Sequence, residues 1–132
     1  LDEVERQLCR EGGLLGLSGV SNDIRDVTAA AEQGNAKARL ALDALVAGAR
    51  QWIGGYFLEL NGCDALVFTA GIGENRTDLR AAICADLDQL GIVLDPESNA
   101  RTRATEAVIS AANSRVKIMS SLRMRNWSWP AR

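Results

Sequence analysis

The run Asp64-Ala-Leu-Val-Phe-Thr-Ala-Gly-Ile-Gly-Glu-Asn75 constrains this chain more than any other. Val67 and Phe68 favour a strand, and Thr69 and Ala70 close it. Gly71 and Gly73 then read as the residues that let the backbone turn sharply. Neither carries a Cβ, so a ligand can approach the main chain there. A helix is expected to start near Asn75 or Thr77, and its free N–H groups suit a polar or phosphate-bearing ligand. The competing reading is an ordinary turn between two elements, because a lone G-x-G does not by itself mark a site.

The rest of the chain supplies an α/β setting. With 132 residues it is read as one domain able to bury a core, and a hydrophobic content of 47% is normal for a globular fold. A net charge of −2, with charges mixed along the chain, argues against a nucleic-acid partner. No apolar run approaches the ~18 residues of a membrane span, and no signal peptide is seen, so a cytoplasmic protein with no membrane partner is expected. Leu1 is not an initiator Met, which agrees with a chain cut from something longer. Cys9, Cys63 and Cys84 match no zinc or redox spacing and read as buried or half-buried thiols.

Periodicity predicts a helix over residues 1–10, ending at Gly12 and Gly13. Residues 14–17 form a short apolar run, strand or buried loop. Ser21, Asn22 and Asp23 are N-capping types and should start a helix that Gly34 and Asn35 end. Residues 36–60 read as one long helix with Leu40, Ala44, Ala47 and Gln51 along a stripe. Within it Gly54 and Gly55 suggest close packing or a local break, and Trp52 and Tyr56 read as core. A strand over 65–69 leads into the glycine segment. Leu79, Ile83, Leu87 and Leu90 then mark the apolar face of a helix ending at Gly91. Residues 92–94 read as a strand, 95–98 as a turn, and 107–110 and 115–119 as two short strands. Arg50, Arg76 and Arg80 read as surface charges. Helices alternating with strands make a layered α/β domain.

The run VFTAGIGEN, residues 67–75, resembles the nucleotide-loop signature of the acetate kinase family, in the acetate and sugar kinase, Hsp70 and actin superfamily. The segment from Gly16 to Asp26, GLSGVSNDIRD, resembles the family's second nucleotide-contacting segment. The segment from Leu90 to Asn99 is similar to the strand and turn that follow the loop helix. Residues 106–110 and 114–118 match its paired late strands. The resemblance runs in order over residues 1–119 and implies the C-terminal, nucleotide-binding lobe of an actin-like, ribonuclease H-like fold. It implies that Gly71, Ile72, Gly73, Glu74 and Asn75 lie against the adenosine of ATP or ADP. Asp23, Ile24 and Arg25 are implied as the second contact, with Arg25 on the purine and Asp23 on a ribose hydroxyl. On spacing alone, Asp23 and Asn75 read equally as helix caps and Arg25 as a solvated residue. The resemblance also implies a homodimer and transfer between ATP and acetate, with propionate or butyrate as alternative substrates. The short-chain carboxylate would be bound by an N-terminal lobe that this chain does not match. The family's histidines find no counterpart here, because the chain has none, so no catalytic residue is assigned. The chain by itself is expected to be inactive, a nucleotide-binding remnant at most.

From Ser120 the sequence changes character. Residues 120–132 hold two of the three tryptophans and three arginines without an acid, and show neither alternation nor a helical stripe. Codons compatible with this tail, read one base out of phase, yield VIPTNEELVMAR, a run like that of the family at this position. Loss of one base just after Met119 is therefore inferred, leaving an aberrant, disordered tail. By resemblance the lost N-E-E-L carries the glutamate that helps hold Mg2+, so no metal ligand is assigned.

Overall fold

Val67 and Phe68 do lie in a strand, β1 (Ala65–Phe68), at one edge of a three-stranded sheet. The computed structural model describes residues 2–122. β3 (Lys117–Ser120) is central, parallel to β1 with Ala65 opposite Lys117 and Phe68 opposite Ser120. It is antiparallel to β2 (Ala107–Val108), with Ala107 opposite Ser120. A parallel pair needs a crossover, and the whole segment between β1 and β3, β2 included, supplies it. Ile118 and Ser120, two apart, share the buried face of β3.

The chain divides into two compact units, Leu1–Gly54 and Gly55–Arg132. In the first, α1 (Asp2–Arg6) runs on through a π-helical turn (Gln7–Glu11). Next come α2 (Gly13–Ser18), α3 (Ile24–Glu32) and the start of α4 (Ala36–Glu59). Its core is Val27, Ala38, Ala41 and Leu42, with Leu14, Ile24, Ala30 and Ala31 packed against them. Residues 14–17 are thus helical, not strand or loop: Gly13 (φ +58) and Gly19 (φ +65) bracket them, and Leu14 turns onto the core. Asn35 opens α4 by accepting from the N–H groups of Lys37 (3.0 Å) and Ala38 (3.1 Å).

Three expectations for α4 are corrected. The buried stripe is Ala38, Ala41 and Leu42, whereas Leu40, Ala44, Ala47 and Gln51 are exposed. The helix is Ala- and Leu-rich on more than one side, so periodicity could not choose the face, and the small alanines allow the closer approach. Gly54 and Gly55 neither break the helix nor pack closely, since a Cβ at either would meet nothing within 4 Å. Trp52 and Tyr56 are exposed rather than core.

In the second unit β1 leads into α5 (Ala70–Asn75), α6 (Thr77–Cys84), a 3-10 turn (Asp88–Leu90) and α7 (Pro96–Arg101). The predicted helix to Gly91 stops early, at Cys84. Ala85 is extended and Asp86 adopts φ +55, a left-handed conformation that aspartate tolerates. Residues 92–94 make no strand, only a bridge between Leu94 and Ser110. The predicted turn at 95–98 is the start of α7: Asp95 accepts from the Ser98 N–H at 2.6 Å and Pro96 sits in the first turn. Of the cysteines, Cys84 is buried and Cys63 half-buried, whereas Cys9 is exposed.

Ser120, expected to begin the tail, instead completes β3, and the Ser121 N–H continues the pairing to the Phe68 carbonyl at 2.9 Å. The Ser120 hydroxyl is buried with no hydrogen-bond partner among the described residues. The remaining tail, residues 123–132, lies outside the described residues.

Candidate functional site

The glycine segment is built differently from its sequence expectation. Neither Gly71 nor Gly73 takes a positive φ; the left-handed residue at the end of β1 is Ala70, at φ +61. The turn is followed at once by α5, so residues 71–75 form a short helical turn rather than an open loop. The two glycines have separate reasons to be there. A Cβ on Gly73 would lie 3.1 Å from the Phe68 carbonyl carbon and 3.4 Å from its Cα and Cβ, so Gly73 lets α5 fold back onto the strand end. A Cβ on Gly71 would meet nothing within 4 Å, and Gly71 is exposed. An open main chain is thus present at Gly71 and absent at Gly73.

Asn75 does not cap the following helix. Its Nδ2 donates to the Gly71 carbonyl at 3.0 Å, closing α5 on itself. The residue before α6 is Arg76, which caps it with no side-chain bond. Arg76 instead grips Asp78, Nε to Oδ1 at 2.9 Å and Nη2 to Oδ2 at 2.5 Å, and holds that carboxyl below its usual range. Ile72 is 42% exposed and Glu74 is half-buried.

The feature missed by sequence reasoning is Arg80. Expected at the surface, it is 1% exposed and donates five hydrogen bonds. Nη1 reaches the carbonyls of Gly73 (2.7 Å) and Glu74 (3.0 Å). Nη2 reaches those of Asn99 (3.1 Å) and Thr102 (2.6 Å), and Nε reaches Asn99 Oδ1 (2.8 Å). Asn99 Nδ2 in turn donates to the Thr77 carbonyl at 2.8 Å, and the Ala104 N–H joins at Glu74 O (3.1 Å). Burial, then the nearby Arg103 charge, pull the Arg80 pKa downward, but a guanidinium stays protonated in proteins. The legible signal was position: Arg80 lies beside Leu79 and one turn before Cys84, inside the apolar face of α6.

Asp23, Ile24 and Arg25 form a self-contained corner in the first unit. Asp23 caps α3 by accepting from the Arg25 N–H at 2.9 Å. The same carboxylate pairs with the Arg25 guanidinium, Nε at 3.0 and 3.1 Å and Nη2 at 2.5 Å. These bonds, with the side chain leading, draw the Asp23 pKa down to about 2. The Arg25 side chain is 83% exposed, its planar face open to solution, while Ile24 turns inward onto the helical core. Both roles read for Asp23, cap and presented carboxylate, are therefore compatible.

Among the described residues no group of three or more Cys, Asp or Glu side chains could hold a metal ion, and the chain has no histidine. The residues described do not fit a Mg2+ site. None of the described helices is long and apolar enough to cross a membrane.

Residues 1–123 match the family model described as the Acetokinase family. The chain belongs to that family. It is 47% identical over 116 residues to the acetate kinase of Syntrophomonas wolfei, covering 88% of this chain and 29% of that protein. It is 50% identical over 115 residues to the acetate kinase of Moorella thermoacetica, with 87% and 29% covered. The crystal structure of Porphyromonas gingivalis acetate kinase aligns with a TM-score of 0.86 at 35% identity, over 90% of this chain and 30% of that one. That of a propionate kinase from Francisella tularensis aligns at 0.80 and 34%, over 92% and 30%. The chain therefore spans about 30% of the length of the relatives it matches.

Proposed function

We propose that this acetokinase-family chain supplies the adenosine-binding part of a kinase that interconverts ATP and acetate with ADP and acetyl phosphate. The observation that carries the reading is the open main chain at Gly71, on a turn whose Gly73 and Glu74 carbonyls are held by Arg80. A purine or ribose can lie against Gly71 and Ile72, with Asn75 and Glu74 bearing polar groups on the same turn. Within the first unit, the exposed guanidinium of Arg25 and the ionised Asp23 are groups that suit a purine face and a ribose hydroxyl.

In the reaction a carboxylate oxygen attacks the γ-phosphorus in line, the bond to the β–γ bridging oxygen breaks, and ADP leaves. Such transfer depends on positioning and charge stabilisation. This chain would contribute only the positioning of the nucleotide. Mg2+ would neutralise phosphate oxygens, but no step is assigned to it on these residues, in keeping with the inferred loss of its glutamate by a frameshift after Met119. The carboxylate would be bound outside this chain, so a propionate kinase, as in the Francisella relative, fits these residues equally. A cytoplasmic homodimer is part of the same proposal, supported by the large apolar side chains Leu40, Trp52, Tyr56 and Leu58 that α4 exposes.

Thermal unfolding with and without millimolar Mg-ATP tests the reading, because a ligand that binds only the folded state raises the midpoint. A cooperative transition moved upward by ATP, and no longer moved in Arg25→Ala, is the expected result. A clean transition that ATP leaves in place would sink the proposal for this chain.

A further inference from the structure

We propose that Arg80 is a positioning residue for nucleotide, acting as a buried clamp that sets the Gly71–Asn75 turn without touching the ligand. The inference rests on the nucleotide reading above and adds the element that holds the site in shape. Three observations lead to it.

First, the turn's own closure, the Asn75 amide on the Gly71 carbonyl, does not reach the Gly73 and Glu74 carbonyls. α5 is a six-residue helix entered through Ala70 in the left-handed region, where a residue with a Cβ is disfavoured. Such a conformation persists only where its surroundings over-determine it. Second, the surroundings that do so converge on one side chain. Nη1 of Arg80 takes the carbonyls of both Gly73 and Glu74, in the middle of the turn, and Nη2 and Nε anchor the same planar group to Asn99 and Thr102 at the end of α7. The guanidinium therefore ties the turn to α7, and the Ala104 N–H adds a second tie at Glu74 O. Third, the hydrogen-bond partners of this buried cation among the described residues are all carbonyl oxygens, four of the main chain and one of the Asn99 amide. A structural arginine buried for its charge is ordinarily matched by a carboxylate. Here the rigid fork is used for its geometry, fixing the directions of successive peptide groups. Fixing Gly73 O and Glu74 O fixes the peptide planes that carry the Glu74 and Asn75 N–H groups, and so anchors the end of the turn whose start, at Gly71 and Ile72, is proposed to meet the nucleotide.

Lysine cannot reproduce this. It has three donors on one nitrogen and cannot span both the turn and α7, so Arg80→Lys should loosen the turn while retaining the charge. The test compares the unaltered chain with Arg80→Lys and with the milder Asn99→Ala, which removes the Nε acceptor. Two measurements are made: amide hydrogen exchange by mass spectrometry, and equilibrium dialysis against ADP at a temperature where each variant is folded. In Arg80→Lys, exchange over residues 71–76 is expected to quicken about tenfold while strands 65–68 and 117–120 keep their rates. ADP binding is expected to weaken by about tenfold, with Asn99→Ala lying between the two. If Arg80→Lys does not fold, Asn99→Ala carries the same comparison. Acceleration spread evenly over turn and strands would overturn the proposal, as Arg80 would then act on global stability alone. So would unchanged exchange in the turn, or a loosened turn with ADP affinity intact. If the unaltered chain fails to bind ADP, the nucleotide reading falls and the positioning role with it, whereas a bound unaltered chain with unaffected variants sinks only the role of Arg80.

Discussion

The two segments proposed to meet the nucleotide are held in contrasting ways. Residues 23–25 are organised by neighbours two positions apart: the Arg25 N–H and guanidinium both bind Asp23, and the Arg25 side chain is 83% exposed. Residues 71–75 are organised from far along the chain, by Arg80 and through it by Asn99 and Thr102, in a setting that is 1% exposed at Arg80. The first corner is a local device that a short peptide could largely form; the second exists only when α6, α7 and the end of β1 have come together. Exposed ion pairs contribute little because water competes for both partners, whereas buried donors left unmatched cost heavily. The same residue type, arginine, is thus a presented group in one segment and a structural fork in the other.

The sharpest way to break this contrast is to remove both arginines in turn. Arg80→Met strands the carbonyls of Gly73, Glu74, Asn99 and Thr102 and should cost on the order of 3–5 kcal/mol in denaturant unfolding. Arg25→Met should leave the midpoint almost where it was, affecting ATP binding instead. Equal losses would show that the first segment is not local after all.

The glycines sharpen it further. Gly73→Val should cost about 1–3 kcal/mol, because the Phe68 backbone cannot move aside as a side chain can. Gly71→Ala should keep or slightly raise the midpoint while reducing the ATP-induced shift, since the new methyl meets only the space offered to the ligand. A Gly71→Ala chain that ATP still stabilises fully would move the contact elsewhere on the turn.

Ser120 sits opposite Phe68, at the foot of the second segment, with its hydroxyl buried and unmatched. The out-of-phase reading of the tail places valine there, which replaces the hydroxyl by a methyl and adds a second one. Ser120→Val should therefore raise stability by about 1 kcal/mol, measured by thermal unfolding. A loss would count against the inferred frameshift as well as the packing argument.

The smallest effect belongs to Asp23. Its folded pKa, about 2, lies below the ordinary aspartate value of about 3.9, so its contribution is present above the higher value. It fades as pH falls from about 4 toward 2, when the folded carboxylate takes up its proton. A pH series of melting midpoints should be flatter over that window in Asp23→Asn than in the unaltered chain. A slope that survives the substitution would assign the acid sensitivity to other carboxylates.

Local chemistry explains which features were readable. The Asp23 cap, the long helix from Ala36 and the strand at 65–68 all rest on contacts within a few residues, and sequence carried them. The turn at 95–98 was misread although its Asp-Pro start is a helix signal, because a turn and a first helical turn share those residues. The buried side of α4 was not readable, since apolar residues lie on several of its faces and only the packed partner selects one. In the candidate site the glycine pattern marked a turn after the strand, but the left-handed residue there is Ala70 and not a glycine.

Sequence by itself determined the alternation of helices and strands, the caps, the family, and the two segments that bear the nucleotide reading, because each is written in short-range propensity or in an ordered set of motifs. Tertiary structure alone decided that Arg80 is interior and that Gly71 is open while Gly73 is packed. Those outcomes depend on which distant carbonyls and strand ends arrive beside a residue, and no local preference of arginine or glycine encodes that arrival.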